Sequence, residues 1–245
     1  MRTTRVYIGA ELASGQVIDL DRTQCHYLKN VLRLKPGAAF FLFDGRQPID
    51  YEARLVADGK AFRAEIGATH PLATESALHS EIIQGLGRTD HIDWMIQKST
   101  ELGVNRISIF NAERTQSPLK STAQEKKLNH WRGVAISACE QCGRAVLPEI
   151  VFHLQLQQAI NEAKHELKLL LDFDGEPLTA ALRSPLPSVS ILLGPEGGLN
   201  AHEIDMAQES GFRPASLGPR VLRMETAATA ALSIIQASAG DIGPG

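Results

Sequence analysis

The chain has 245 residues, 43% of them hydrophobic and 22% charged, with a formal net charge of −3. That length buries a sizeable core as one large or two small domains, and the composition excludes a disordered chain. Near-neutral charge also excludes binding to nucleic acid through overall charge, so an RNA-binding role requires local basic patches.

No run of about 18 apolar residues is present, and Met1 to Ala10 lacks the apolar stretch of a signal peptide. Three cysteines give no disulfide framework. A cytoplasmic protein without a membrane partner is expected.

The first third reads as β-rich. Phe40 to Phe43 runs into Asp44-Gly45, and Tyr51 to Ala57 into Asp58-Gly59, which is hairpin chemistry. One helix is predicted over Arg22 to Leu34, stopped by Pro36-Gly37. Its residues Cys25, Leu28 and Leu32 form an apolar stripe, and Arg22, His26, Lys29 and Arg33 a basic one. His70 to Ser76 has the composition of a linker.

Beyond it, strands and helices alternate as in a parallel α/β sheet. Strands are predicted at Ile82-Ile83, Arg106 to Phe110, Leu169 to Leu171 and Val189 to Leu193. Helices are predicted at Asp90 to Leu102, Ala123 to Arg144, Ala201 to Ser210 and Ala227 to Ala239. The long one should bury Leu128, Trp131, Ala135, Ala138, Cys139 and Cys142 on one face. Cys139 and Cys142 form a C-x-x-C pair, but late in a helix and without a second pair, which favours core packing over redox or metal chemistry. No metal is expected.

Two loops carry the functional signal. Gly194-Pro195-Glu196-Gly197-Gly198 follows a buried strand and precedes a helix that Asn200 and Glu203 can cap. Neither phosphate-binding glycine pattern is present, and an acidic residue in the loop suits a cationic adenosine ligand such as S-adenosylmethionine better than an anion. Leu217 to Ala227 (LGPRVLRMETA) sets two arginines and a glutamate in a short, ordered turn. An ordinary tight turn and surface salt bridges are the alternatives for these loops.

Together the two loops closely resemble the RsmE family, the 16S ribosomal RNA uridine-N3 methyltransferases of the SPOUT superfamily. Further matches are Trp94 to Val104, Glu113-Arg114, Ala138 to Arg144 and His26 to Arg33. The resemblance spans essentially the whole chain. Departures are Met224 where the family usually has Thr, His91 where Lys or Arg is frequent, and the Thr-Gln-Ser-Pro segment after Arg114.

The resemblance implies an α/β protein with an N-terminal PUA-like β-barrel over residues 1–72, which grips RNA. Residues 73–245 would form a SPOUT methyltransferase domain with a deep trefoil knot, paired as a homodimer. Cofactor contacts would come from Leu171 and Asp172, from Leu193, Gly194, Pro195, Glu196 and Gly198, and from Leu217, Gly218, Leu222, Arg223 and Thr226.

Methylating N3 of uracil requires removal of the imino proton and an unpaired or flipped base. Arg220 or Arg223 would stabilise the developing negative charge. Glu196 or Glu225 would orient those groups or help accept the proton, unless Glu225 merely pairs with an arginine. RNA contacts are expected from Arg2, Arg5, Arg22, Lys29 and Arg33, and from Arg88, Lys98, Arg114, Lys120 and Arg144 on the catalytic side. The substrate would be 16S rRNA in the small ribosomal subunit. Rival readings are a SPOUT enzyme with another RNA target, a non-catalytic RNA-binding assembly factor and, weakest, a phosphate-loop enzyme.

Overall fold

In the computed structural model, residues 4–59, 61–182 and 185–242 are described. The chain divides into two compact units, Met1–Glu75 with Cys139–Leu147, and Ser76–Ala138 with Pro148–Gly245.

Alternation of apolar and polar residues builds the first unit. In β4 (Ile49–Asp58) Tyr51, Ala53 and Leu55 are buried while Glu52 and Arg54 face out. It pairs antiparallel with β3 (Ala39–Phe43) and β5 (Ala61–Pro71). β1 (Arg5–Tyr7) and β2 (Val17–Asp19) complete the sheet in the order β1-β3-β4-β5-β2. Strand β5 thus takes in His70 and Pro71, which the sequence assigns to a linker.

The predicted helix is shorter and looser than its pattern suggests. α1 (Arg22–His26) starts at a capping box between Asp21 and Gln24 and runs into a π-helical turn, Tyr27–Val31. Leu28 is fully buried among Val6, Ile8, Phe40 and Leu55. Arg33 then takes a left-handed φ of 56° and ends the segment.

Residues 139–147 complete this unit. Cys139 and Ala145 pack on Phe43, and Val146 bridges to Gly45. The Glu140 carboxylate accepts the Tyr7 N–H and the Tyr27 hydroxyl, both at 3.1 Å. Arg144 is 3% exposed and forms an ion pair of 2.7 Å with Glu75. Arg5 pairs with Asp50 at 2.7 Å, with both side chains 9% exposed, and donates to the carbonyls of Cys139 and Arg144. Arg5 and Arg144 were expected to hold RNA; instead their guanidiniums are spent inside the unit. Burial also settles the C-x-x-C pair: desolvation pushes the Cys139 thiol up to about 12, far from a reactive thiolate. Cys142 and Leu128, expected on the buried face, are only partly covered.

The second unit is a parallel sheet of β6 (His79–Gly85), β7 (Arg106–Phe110), β8 (Glu149–His153), β9 (Leu167–Pro177), β10 (Ser188–Leu193) and β11 (Arg213–Ser216). Its order is β11-β9-β10-β6-β7-β8. Consecutive apolar residues point to opposite faces, which explains the unbroken runs in the sequence. Ile82, Leu169 and Ile191 join a core with α2 (Thr89–Glu101), the long α3 (Ser121–Cys142) and α7 (Met224–Ala239). Ile83, Leu170 and Leu192 join another with α4 (Leu156–Glu162) and α6 (Ala201–Glu209). The short α5 (Leu178–Ala181) adds Leu178 and Ala181 to the first core. α7 begins three residues before the predicted start, with Glu225 in its first turn, where a carboxylate favours the positive helix end.

One carboxylate is buried near the start of β6. Glu81, 1% exposed, accepts from Ser108 at 2.7 Å and Ser190 at 2.9 Å, with Arg106 at 3.3 Å and His165 at 3.5 Å. Burial pushes its carboxyl up, but hydrogen bonds from His165, Ser108 and Ser190 and the charge of Arg106 hold it below the ordinary range. A depressed folded value contributes stability that is present above the unfolded carboxyl range and lost as pH falls through the folded one. Glu81→Gln is therefore expected to cost roughly 1.5–3 kcal/mol at neutral pH. Urea titrations should show that gap narrowing below about pH 4; a gap constant down to pH 3 would contradict the ionised state.

Candidate active site

The ligand position of an open α/β sheet lies at the C-terminal ends of its strands, where the strand order reverses. Here that is beside β6 and β10, and a cavity of about 580 Å³ occupies the place. Three backbone features shape it. The β9–β11 register jumps between Pro214 and Ala215, from Leu170 to Glu176 on β9. The intervening bulge turns Leu171, Asp172 and Phe173 into the cavity. After β10, the 194–199 loop forms a second wall, and residues 215–225 form the third.

The 194–199 loop is held from several sides. Buried Gln84, near the end of β6, donates to the Gly194 carbonyl at 2.7 Å. Arg114 donates to the carbonyls of Gly197 and Leu199, both at 3.3 Å. Asn200 and Glu203 form the predicted capping box, and Glu203 also accepts the Glu113 N–H at 3.0 Å. Gly85 is required by close approach, since a Cβ there would lie 2.5 Å from Pro195 Cδ and 2.6 Å from its nitrogen. Gly85→Ala is expected to destabilise the protein by about 1–3 kcal/mol through overpacking. It should also weaken ligand binding to the loop about tenfold or more by calorimetry; an unchanged affinity would mean that Pro195 need not sit where it does.

The polar groups cluster at one end. Glu196 Oε1 accepts the Arg88 N–H at 2.9 Å and lies 3.0 Å from His91 Nδ1. Glu225, 9% exposed, places Oε2 3.8 Å from the same nitrogen, and that buried oxygen has no hydrogen-bond partner. Desolvation pushes the Glu196 carboxyl up, but the Arg88 N–H, its own N–H and His91 hold it below the ordinary range. Arg220 and Arg223 line the cavity and are exposed. Among the described residues neither has a carboxylate within ion-pair distance, so the salt bridge considered for Glu225 is not made.

The cavity brings together Arg220, Arg223, Glu196 and Glu225 with Leu171, Asp172, Leu193, Gly194, Pro195, Gly198, Leu217, Gly218 and Leu222. Thr226 is exposed in the first turn of α7 and does not line it. Of the residues expected to touch RNA, Arg22, Lys29, Arg33, Arg88, Arg114 and Lys120 are exposed. Arg114 is engaged with the loop, Arg88 pairs with Asp90, and Lys98 pairs with Glu101. Arg2 lies outside the described residues.

Sequence reasoning missed the cavity roles of His91 and Phe173 and the support that Gln84 gives the loop, whereas Val221 lies in the second sequence-marked loop and lines the cavity. For His91 the family departure was a signal; for Phe173, only its place after Leu171-Asp172. No cluster of three or more metal-ligating side chains occurs among the described residues. No helix there is long and apolar enough to cross a membrane.

Residues 74–236 match the family model of an RNA methyltransferase domain, and residues 20–67 that of an RNA methyltransferase PUA domain. A parallel α/β domain with its ligand cavity at the strand ends, joined to a small β domain, is thus an RNA methyltransferase with a PUA domain. The chain is 33% identical over 242 residues to the ribosomal RNA small subunit methyltransferase E of Buchnera aphidicola, covering 98% of each. The enzyme of the same name from Neisseria gonorrhoeae, solved with S-adenosylmethionine, superposes with a TM-score of 0.89 at 34% identity, over 98% of this chain and 99% of that one. A Legionella pneumophila protein, also solved with that cofactor, gives a TM-score of 0.93 at 35% identity, over 99% and 100%. The chain belongs to the ribosomal RNA small subunit methyltransferase E family.

Proposed function

We propose that the protein transfers a methyl group from S-adenosylmethionine to N3 of a uridine in 16S rRNA of the small ribosomal subunit. It would act as a cytoplasmic homodimer. The observation that carries this reading is the convergence of the three sequence-marked segments on one cavity, with unpaired arginines and two carboxylates at its polar end. The fit to the cofactor is chemical. Leu170, Leu193, Leu199 and Leu222 give apolar walls for an adenosine, and the buried, unpartnered Glu225 oxygen suits a cationic ligand. When bound, the cofactor supplies an electrophilic methyl on a positively charged sulfur.

The chain's own residues then have separable tasks. The 194–199 loop and the β9 bulge orient the cofactor; Arg220 and Arg223 stabilise negative charge on the uracil oxygens. Glu196 and Glu225 orient the polar groups around them. We assign RNA grip to residues 1–72, through exposed Arg22, Lys29 and Arg33, and methyl transfer to residues 73–245. The trefoil knot is part of the proposal. In its support, β11 lies at the sheet edge beyond β9, whereas α7, which follows it, packs against α2 and β10.

The test incubates purified protein and S-adenosylmethionine with small subunits lacking the modification. Mass spectrometry of the digested RNA should reveal 3-methyluridine. Another methylated nucleoside would refute the target, and cofactor binding without methylation of the subunit would refute the substrate.

A further inference from the structure

We propose that a second cavity, beside the first, holds the sugar-phosphate of a nucleotide adjacent to the target, with Arg88 and Lys127 on its phosphate. The inference rests on the action on RNA proposed above, and adds a substrate subsite to the same reaction.

The cavity measures about 350 Å³ and lies between the start of α2, residues 117–119 and α3. Its walls are fixed by the chain's own hydrogen bonds. Leu86 donates its N–H to the Phe110 carbonyl at 2.7 Å, and its carbonyl accepts the Thr115 hydroxyl at 3.2 Å. Asn111 holds the Leu119 backbone twice, accepting its N–H at 2.9 Å and donating to its carbonyl at 3.0 Å. From α3, Lys127 Nζ donates to the Thr89 hydroxyl at 3.0 Å and lies 5.6 Å from the centroid of the buried Trp131 ring. Walls held in this way are preorganised, which lowers the ordering cost of binding.

One glycine separates the two cavities. Gly87 lines the second, and a Cβ on it would lie 2.5 Å from Met224 Sδ and 2.6 Å from Glu196 Oε2. Met224 and Glu196 both line the first. Arg88 straddles the same boundary, since its N–H donates to Glu196 Oε1 at 2.9 Å while the residue lines the second cavity. His91, which lines the first, follows within one helical turn, roughly 5 Å along α2. That is the scale of one step along a nucleic-acid strand. An enzyme that turns a base out of its stack must also hold the backbone beside it, and phosphate contacts do that work.

The lining matches a sugar-phosphate. Leu86, Pro118 and Leu119 offer apolar surface to the carbon face of a ribose, and Thr89 and Ser117 offer hydroxyls to its oxygens. Charge selects an anion, because Arg88 and Lys127 outnumber Asp90, the one acid in the lining. Arg88 gives Asp90 one of its five N–H donors, at 3.1 Å. Lys127 gives Thr89 one of its three, and among the described residues no carboxylate lies within ion-pair distance of it. Both can therefore donate to a phosphate oxygen without giving up a partner.

Salt dependence separates this role from a plain latch between α2 and α3. Binding of wild type, Arg88→Gln, Lys127→Gln and Lys164→Gln to small subunits lacking the modification is measured over a potassium chloride series at fixed magnesium. Arg88→Gln and Lys127→Gln should each lose about tenfold in affinity. Each should also lower the slope of log affinity against log salt by about 0.7, the increment of one phosphate on a single strand. KM for the subunit should rise in step, with S-adenosylmethionine affinity within twofold of wild type by calorimetry. Lys164→Gln removes the same charge from an exposed position between α4 and β9, at the opposite end of the sheet, and should match wild type.

Wild-type slopes in both the Arg88 and Lys127 variants would overturn the subsite. So would a Lys127→Gln protein that loses cofactor affinity and resistance to urea at an unchanged slope, because Lys127 would then only tie α3 to α2. Wild type that binds subunits but makes no 3-methyluridine would overturn the target assignment instead, with the slopes still deciding the subsite.

Discussion

Arg223→Ala is expected to lower the rate of methyl transfer about 10²–10³-fold, the usual cost of removing one donor aimed at developing charge. Arg223 is the N-cap of α7, and its extended backbone (φ −63°, ψ 151°) lets the side chain leave the helix toward the cavity. With no carboxylate in ion-pair range among the described residues, its charge is uncommitted before substrate arrives. A ground-state binding role would raise KM and leave kcat alone; a charge-stabilising role lowers kcat. Single-turnover kinetics at saturating RNA and cofactor separate the two, and turnover that survives the substitution would remove Arg223 from the chemistry. Arg223→Lys should recover only part of the loss, because a point charge cannot reproduce the planar fork.

Arg144→Ala should act elsewhere, on stability, at about 3–5 kcal/mol, the cost of stranding one partner of a buried ion pair. Arg144 is 3% exposed and bonds Glu75 through Nε and Nη2, while its carbonyl accepts from Arg5. Urea denaturation should report the loss, and Glu75→Leu combined with Arg144→Leu should recover part of it, since the Glu75 carboxylate is then not stranded. If the single variant kept its stability yet bound RNA more weakly, the buried role would be wrong and the sequence expectation of an RNA contact restored.

The contrast between these arginines shows what was legible in the sequence. Arg220 and Arg223 announced themselves by lying in a short Gly-Pro turn between strand and helix, where local spacing fixes the environment. The environments of Arg5 and Arg144 depend on each other across more than a hundred residues of chain. No window of sequence could show that Asp50 and Glu75 wait there. The same division holds for the site. Glu196 and the 194–199 loop were readable as a motif, whereas His91 reached the cavity only because β6 and β10 are neighbours, which places α2 beside the loop.

The elements divide likewise. Buried strands with continuous apolar runs were plain, because both sheet faces are covered. β8 and α4 carry no comparable signal, and the pattern over α1 extends too far, because a π-helical turn keeps the same apolar spacing for a few residues before Arg33 turns the chain away. The β9 bulge is only faintly marked, by Gly175, where a Cβ would lie 2.4 Å from the Ala215 nitrogen, because the register jump arises from pairing with β11.

One consequence of how residues 139–147 are used concerns modularity. The N-terminal unit borrows a segment that the chain reaches only after β6, α2, β7 and most of α3. It is therefore not a bead that can be unthreaded, and cutting after Glu75 would leave Phe43 without Cys139 and Ala145, and Glu75 without Arg144. Exchange of this unit between proteins by end-to-end fusion is closed to the fold. Any transfer of this unit to another protein would have to carry residues 139–147 along with residues 1–75.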